Sequence, residues 1–165
     1  MDLARERCLD LQFRIVMNLF QESNGRLSGL EQLQSLITTN RRPPIGETLD
    51  FTIVEVEEGR AVFEGTPGLH AYNPLGVVHG GYSAALLDSA CGCAVHASLK
   101  PGQAYTTLEL DIRYHRPITT ETGRVRAEGK VVTLGRRVAF AEARLIDVTG
   151  RLCASASSTL LVFAL

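Results

Sequence analysis

The segment from Gly80 to about Ser98 constrains the fold more than any other stretch of the chain. Read as a helix, it presents Ala84, Ala85, Leu86, Leu87, Ala90, Cys91, Cys93 and Ala94, and from Tyr82 to Val95 its only charged residue is Asp88. A helix that is apolar nearly all round belongs in a core. Its Ala, Gly, Ser and Cys residues let another backbone approach closely on most sides. A curved sheet wrapped around the helix satisfies both conditions. Asp88 is then an anomaly, because burying an unpaired carboxylate either costs stability or forces its pKa upward. Chains tolerate that cost chiefly where the group does chemistry or meets a partner.

Strand signals surround this helix. Phe51, Ile53, Val54 and Val56, then Ala61, Val62 and Phe63 after Glu58-Gly59, predict two strands joined by a hairpin. Residues 67–79 hold two prolines and two glycines and predict a loop, and Lys100-Pro101-Gly102 stops the helix. Beyond it, Leu108, Leu110, Ile112 and Tyr114 alternate with Thr107, Glu109, Asp111 and Arg113, the period-2 code of a half-buried strand with the apolar set inward. Three more strands are expected at about 124–133, 137–147 and 151–163. The fold class is α+β: strands, one long central helix, then an antiparallel meander, the sheet wrapped around the helix.

Residues 1–44 differ in character and predict a helical extension in front of a domain spanning 45–165. Leu3, Leu11, Ile15, Leu19 and Phe20 form an apolar stripe that Asn24-Gly25 breaks. A second helix is expected after Ser28, ended by Arg41-Arg42-Pro43-Pro44. The extension carries six arginines against five acids, far from a basic recognition module.

A chain of 165 residues with net charge −1 fits one domain and expects neither nucleic acid nor an anionic membrane surface as partner. No apolar run approaches the ~20 residues of a membrane helix. The start, Met-Asp-Leu-Ala-Arg-Glu-Arg, lacks an apolar signal core, so a cytoplasmic protein is expected. Cys8, Cys91, Cys93 and Cys153 show no metal spacing, and neither do His70, His96 and His115, so no metal is expected.

The segment Asn73-Pro-Leu-Gly-Val-Val-His79-Gly80-Gly81 leads into the helix, Asp88 follows on it, and Tyr114-x-x-Pro117 closes the next strand. In this combination the chain resembles, from about Thr48 to its C-terminus, the hotdog-fold acyl-CoA thioesterases of the phenylacetate-pathway (PaaI-like) type. The resemblance implies a dimer with its sheets joined edge to edge, often a tetramer as a dimer of dimers, with two active sites per dimer. It implies hydrolysis of acyl-CoA without a further cofactor, coenzyme A being part of the substrate. It gives Gly80 the role of offering its N–H to the thioester carbonyl at a helix N-terminus, where developing negative charge is favoured. Asn73 becomes a side-chain donor near that oxygen, and His79 shapes the loop or bonds to the oxygen. Asp88 becomes a general base on water or a nucleophile, and Thr107 a hydroxyl that orients the water. The turn Gly135-Arg136-Arg137 and Arg116 become candidates for the coenzyme A phosphates, which guanidinium forks suit.

Helix geometry adds an independent constraint. Gly80 and Asp88 are eight residues apart, or about 12 Å along the axis at ~1.5 Å per residue. One thioester carbon cannot be attacked at one end of that span and polarised at the other. Either Asp88 is a structural acid paired with an arginine, or it serves a site completed by a second chain.

Two other functions compete. A hotdog dehydratase or hydratase of one branch needs His five residues after Asp, where Cys93 stands; another pairs a helix Glu with its His. A non-catalytic acyl-CoA-binding regulator would lose the acid and gain a basic segment, and this chain does the reverse. Tyr72, Tyr82, Tyr105 and the small residues of the helix are compatible with aromatic or medium-chain acyl groups.

Overall fold

The structure, a computed structural model, describes residues 18–165; the stripe residues Leu3, Leu11 and Ile15 and the thiol Cys8 lie outside that range. Among the described residues four α-helices, α1 (Leu19–Glu22), α2 (Gly29–Thr38), α3 (Pro44–Leu49) and α4 (Gly80–His96), accompany six strands. These are β1 (Phe51–Glu57), β2 (Arg60–Gly65), β3 (Gln103–Tyr114), β4 (Val125–Leu134), β5 (Val138–Asp147) and β6 (Leu152–Ala164). They form one antiparallel sheet in the order β1-β2-β4-β5-β6-β3. The sheet wraps α4, whose Leu86, Leu87, Ala90, Cys91, Ala94 and Val95 are fully buried against it.

Close approach sets the fit. Gly129 of β4 faces α4 so tightly that a methyl group there would overlap the Ala90 carbonyl. Alanines 127, 139, 141, 143 and 154 continue the inner face of the sheet beneath the helix. Small residues on both sides let backbone meet backbone, as the helix composition requires.

The local reasons for the N-terminal helices are explicit. Ser28 and Glu31 form a reciprocal capping box, the Glu31 N–H donating to the Ser28 hydroxyl at 3.3 Å and the Ser28 N–H to the Glu31 carboxylate at 2.8 Å. Pro43-Pro44 does more than end a helical region, as expected from sequence: Pro44 starts α3. Proline is at ease at the first helical position, where its missing N–H would have no partner. The N-terminus of α2 docks on the end of α4, with the Gly29 N–H donating to the Leu99 carbonyl at 3.0 Å. A side chain at Gly29 would overlap the His96 carbonyl.

Two expectations need correction. The strand after the helix is not a member of the meander: β4-β5-β6 run consecutively, and β3 pairs with β6 as the outermost strand. Its alternation is also interrupted. Thr107 pairs with Leu160 and Glu109 with Thr159, so Leu108 is an extra residue, a β-bulge, and is 59 % exposed. N-terminal to the bulge the inward set is Tyr105 and Thr107; beyond it Leu110 and Ile112 pack on the core, while Tyr114 is largely exposed. A bulge shifts the pleat by one residue and re-aims side chains.

Candidate active site

The loop before α4 is built by its polar side chains. The Asn73 Oδ1 accepts the N–H groups of Leu75 at 2.9 Å and Val77 at 3.3 Å, folding residues 73–77 into a side-chain-stabilised turn. That oxygen is committed to the loop, which leaves the amide nitrogen of Asn73 as its donor toward a ligand. Val78 and His79 are held in turn by the carbonyls of Ile118 and Ala71. The loop therefore delivers the chain to the helix start in a fixed direction.

His79 is the N-cap of α4, its Nδ1 accepting the Gly81 N–H at 2.8 Å. A neutral ring bonded this way carries its proton on Nε2. The capping bond places His79 as a positioning group for the first helical turn. Gly80 is the first helical residue, and among the described residues nothing accepts its N–H. The Tyr114 ring lies where a Gly80 side chain would stand, 3.1–3.2 Å from it, and the Tyr114 hydroxyl donates to the Gly80 carbonyl at 3.1 Å. A side chain at Gly80 would press on that ring, which would have to shift by a few tenths of an ångström to admit it. A cleft of about 310 Å³ opens at this end, lined by Val78, Gly80, Ser83, Tyr114, Arg116 and Ile118 among others.

Asp88 lies two helical turns further on, half-buried, and faces β3. Its Oδ1 accepts the Thr107 hydroxyl at 3.0 Å. The bulge at Leu108 is what turns Thr107 inward to make that bond. No arginine or lysine pairs with Asp88 among the described residues. It is thus neither unpaired nor fully buried within one chain, which lightens the cost inferred from sequence. Burial, and next the Asp88 charge, push the Cys93 thiol up to about 12, and burial does the same to Cys91, which disfavours the reactive thiolate at both.

The candidates fall into three groups in space. Asp88 and Thr107 are brought together directly. Asn73, His79, Gly80 and Arg116 gather at the helix N-terminus, although the Arg116 Nη1 also donates to the Leu152 carbonyl at 2.7 Å. Gly135, Arg136 and Arg137 form the exposed β4–β5 turn, with the Arg137 carbonyl accepting from Val162 near the end of β6. The end of β6 meets Gly102 and Gln103, just past the helix C-terminus, so in one protomer this turn lies at the far end of α4 from Gly80. Tyr114 and Ser83 were missed as site residues from sequence. Tyr114 carried a signal only as the start of Tyr-x-x-Pro, and strand alternation directed it into the core.

The sequence profile described as the thioesterase superfamily matches residues 75–154. A proofreading thioesterase, EntH, of Klebsiella pneumoniae is 31 % identical over 105 residues, covering 64 % of this chain and 75 % of that protein. The 1,4-dihydroxy-2-naphthoyl-CoA hydrolase of Listeria monocytogenes is 27 % identical over 116 residues, covering 70 % and 93 %. The solved structure of a phenylacetic acid degradation-related protein from Ralstonia eutropha superposes with a TM-score of 0.70 at 26 % identity, covering 78 % of this chain and 98 % of that one. A helix wrapped by a six-stranded antiparallel sheet in this order is the hotdog fold. The chain belongs to the hotdog thioesterase superfamily, and it is a thioester hydrolase.

Proposed function

We propose that the protein hydrolyses an acyl-CoA thioester to the free acid and coenzyme A, with an aromatic or medium-chain acyl group as its preferred class. The observation that carries this reading is the Asp88–Thr107 hydrogen bond between α4 and the edge strand, with no cation among the described residues neutralising the carboxylate. Thr107 binds one oxygen, leaving Oδ2 to take the proton of a water as that water attacks the thioester carbon. The carbonyl electrons move onto oxygen, where the free Gly80 N–H of the partner subunit and the helix dipole stabilise them. Collapse of the tetrahedral species expels the coenzyme A thiolate. Two of the relatives named above act on, or belong to the degradation of, aromatic acids by their descriptions, which supports the acyl class.

The reading requires a homodimer, since Gly80 and Asp88 of one helix stand about 12 Å apart. The unpaired edge of β3, twelve residues long, is the surface on which a second copy would continue the sheet. The direct experiment incubates the protein with acetyl-, hexanoyl-, phenylacetyl- and dodecanoyl-CoA and follows thiol release. Hydrolysis of phenylacetyl- or hexanoyl-CoA that is lost in Asp88→Asn supports the reading. No thiol release from any acyl-CoA would overturn it.

A further inference from the structure

The sheet order leaves β1 and β3 as its two edges. Residues from both edges line one cavity of about 240 Å³: Ile53 from β1 and Tyr105 from β3, with Leu33 and Leu36 of α2 and Cys93 and His96 of α4. The N-terminal helices are therefore part of its wall.

The cavity lies next to the candidate carboxylate. Tyr105 and Thr107 are two residues apart on the same inward face of β3, ahead of the bulge. The Tyr105 hydroxyl rests against α4 at Gly92, where an added side-chain carbon would stand 2.5 Å from it. Gly92 is one helical turn beyond Asp88, and Cys93 follows it into the cavity wall. Tyr105 thus lines an apolar chamber beside the Asp88–Thr107 pair. Gly92 has no side chain because the phenol occupies that space.

Among the described residues no charged side chain lines the chamber. Burial holds the His96 ring on the neutral side, and its Nε2 pairs with the Gln32 Oε1 at 3.2 Å, while the Gln32 amide donates to the Leu27 carbonyl at 3.0 Å. Burial likewise keeps the Tyr105 phenol protonated. An apolar cavity of ~150 Å³ takes up benzene, so this one has room for a single ring on a short spacer or an aliphatic chain of similar bulk.

We propose that this chamber receives the acyl group of the thioester attacked at Asp88, with Tyr105 as the wall that sets its depth and α2 as its floor. The inference rests on the acyl-CoA reading and deepens it. It gives the helices ahead of the hotdog domain a part in selecting the substrate, and it disfavours acyl groups with a charged far end.

The test measures kcat/KM of the full chain for acetyl-, hexanoyl-, dodecanoyl- and glutaryl-CoA in wild type, Leu36→Phe and Tyr105→Ala. Filling the floor with Leu36→Phe should lower the hexanoyl-to-acetyl ratio by about tenfold or more, the scale on which apolar pockets discriminate methylenes. Shortening the wall with Tyr105→Ala should raise the dodecanoyl-to-hexanoyl ratio by a similar factor. Glutaryl-CoA should be the poorest of the longer substrates throughout. Opposite shifts in the two variants support the chamber. Ratios that stay constant, including a uniform loss on every substrate, overturn it while leaving the hydrolase reading intact. Cys93→Met fills the same space from α4 and supplies the reading should Leu36→Phe not fold. Failure of the wild type on all four substrates and on phenylacetyl-CoA overturns the underlying function instead.

Discussion

Asp88 accepts one hydroxyl and meets no cation among the described residues, an arrangement that orients a carboxylate without neutralising it. Replacing it by Asn keeps the volume and removes the base, so turnover should fall by about 10²–10⁴ with substrate binding largely retained. A wild-type rate in Asp88→Asn would make Asp88 structural. Thr107→Val keeps the β-branched shape and deletes the donor. Its loss should cost roughly 10–100-fold in kcat, the scale of a hydrogen bond to a charged group, with KM little changed. An unchanged kcat in steady-state assays would show that the hydroxyl does not orient the base. At this scale the sequence was half legible. Gly80 and Asp88 stood out because an isolated acid and a paired glycine are conspicuous in an apolar helix. The inward turn of Thr107 did not, because alternation along β3 assigned the apolar partners inward. A single inserted residue at Leu108 reverses that phase without any marker in composition.

Elements were more legible than contacts. The 58–59 turn, the capped α2 and the three strands of the meander follow from turn residues, capping chemistry and period-2 patterns, which act locally. The placement of β3 beside β6 depends on which strands pair across the sheet, and no local pattern encodes that. The β5–β6 turn offers a test of local stability. Asp147 accepts the Thr149 hydroxyl at 2.7 Å and N–H at 2.8 Å, and the Arg151 N–H at 3.0 Å and Nε at 2.8 Å. The Thr149 hydroxyl first, then Arg151 and the backbone donors, hold its carboxyl well below the usual range against the opposing effect of burial. A depressed folded-state pKa stabilises above the unfolded value of ~3.9 and stops doing so as pH falls through the folded value. Asp147→Asn should therefore melt a few degrees below wild type at neutral pH, and the gap should narrow as the pH drops below about 4. A gap independent of pH would trace to packing instead. The β4–β5 turn makes a different prediction. If Arg136 or Arg137 grips a coenzyme A phosphate, Arg136→Ala or Arg137→Ala should raise KM for acyl-CoA several-fold and barely affect pantetheine thioesters that lack the nucleotide. Equal losses on both substrates would indicate damage to the turn.

At the scale of the molecule, one protomer contains every candidate group and yet no complete site. The Gly80 N–H and the Asp88 carboxylate lie on one rigid helix, and no side-chain rotation closes about 12 Å. The β4–β5 turn sits at the opposite end of α4 from the Gly80 cleft, a separation that only a second, oppositely directed chain could reconcile. The free edge of β3 supplies the place for that chain, since a long edge strand presents unpaired backbone groups along its length. A dimer joined there would run two α4 helices past each other and bring each Asp88 toward the other Gly80. Subunit mixing tests this directly. Gly80→Pro removes the N–H while a proline at the first helical position suits the helix, and the exposed Tyr114 ring has room to move aside. Asp88→Asn removes the base. Each variant alone should be inactive, and a mixture refolded at equal proportions should recover activity, because a mixed dimer holds one intact Gly80 and one intact Asp88 facing each other. Half of a random mixture is heterodimer with one working site of two, so recovery should reach about a quarter of the wild-type rate, on the premise that sites act independently. A fully active monomer in solution, or a mixture as inactive as its parents, would place both groups outside a shared site.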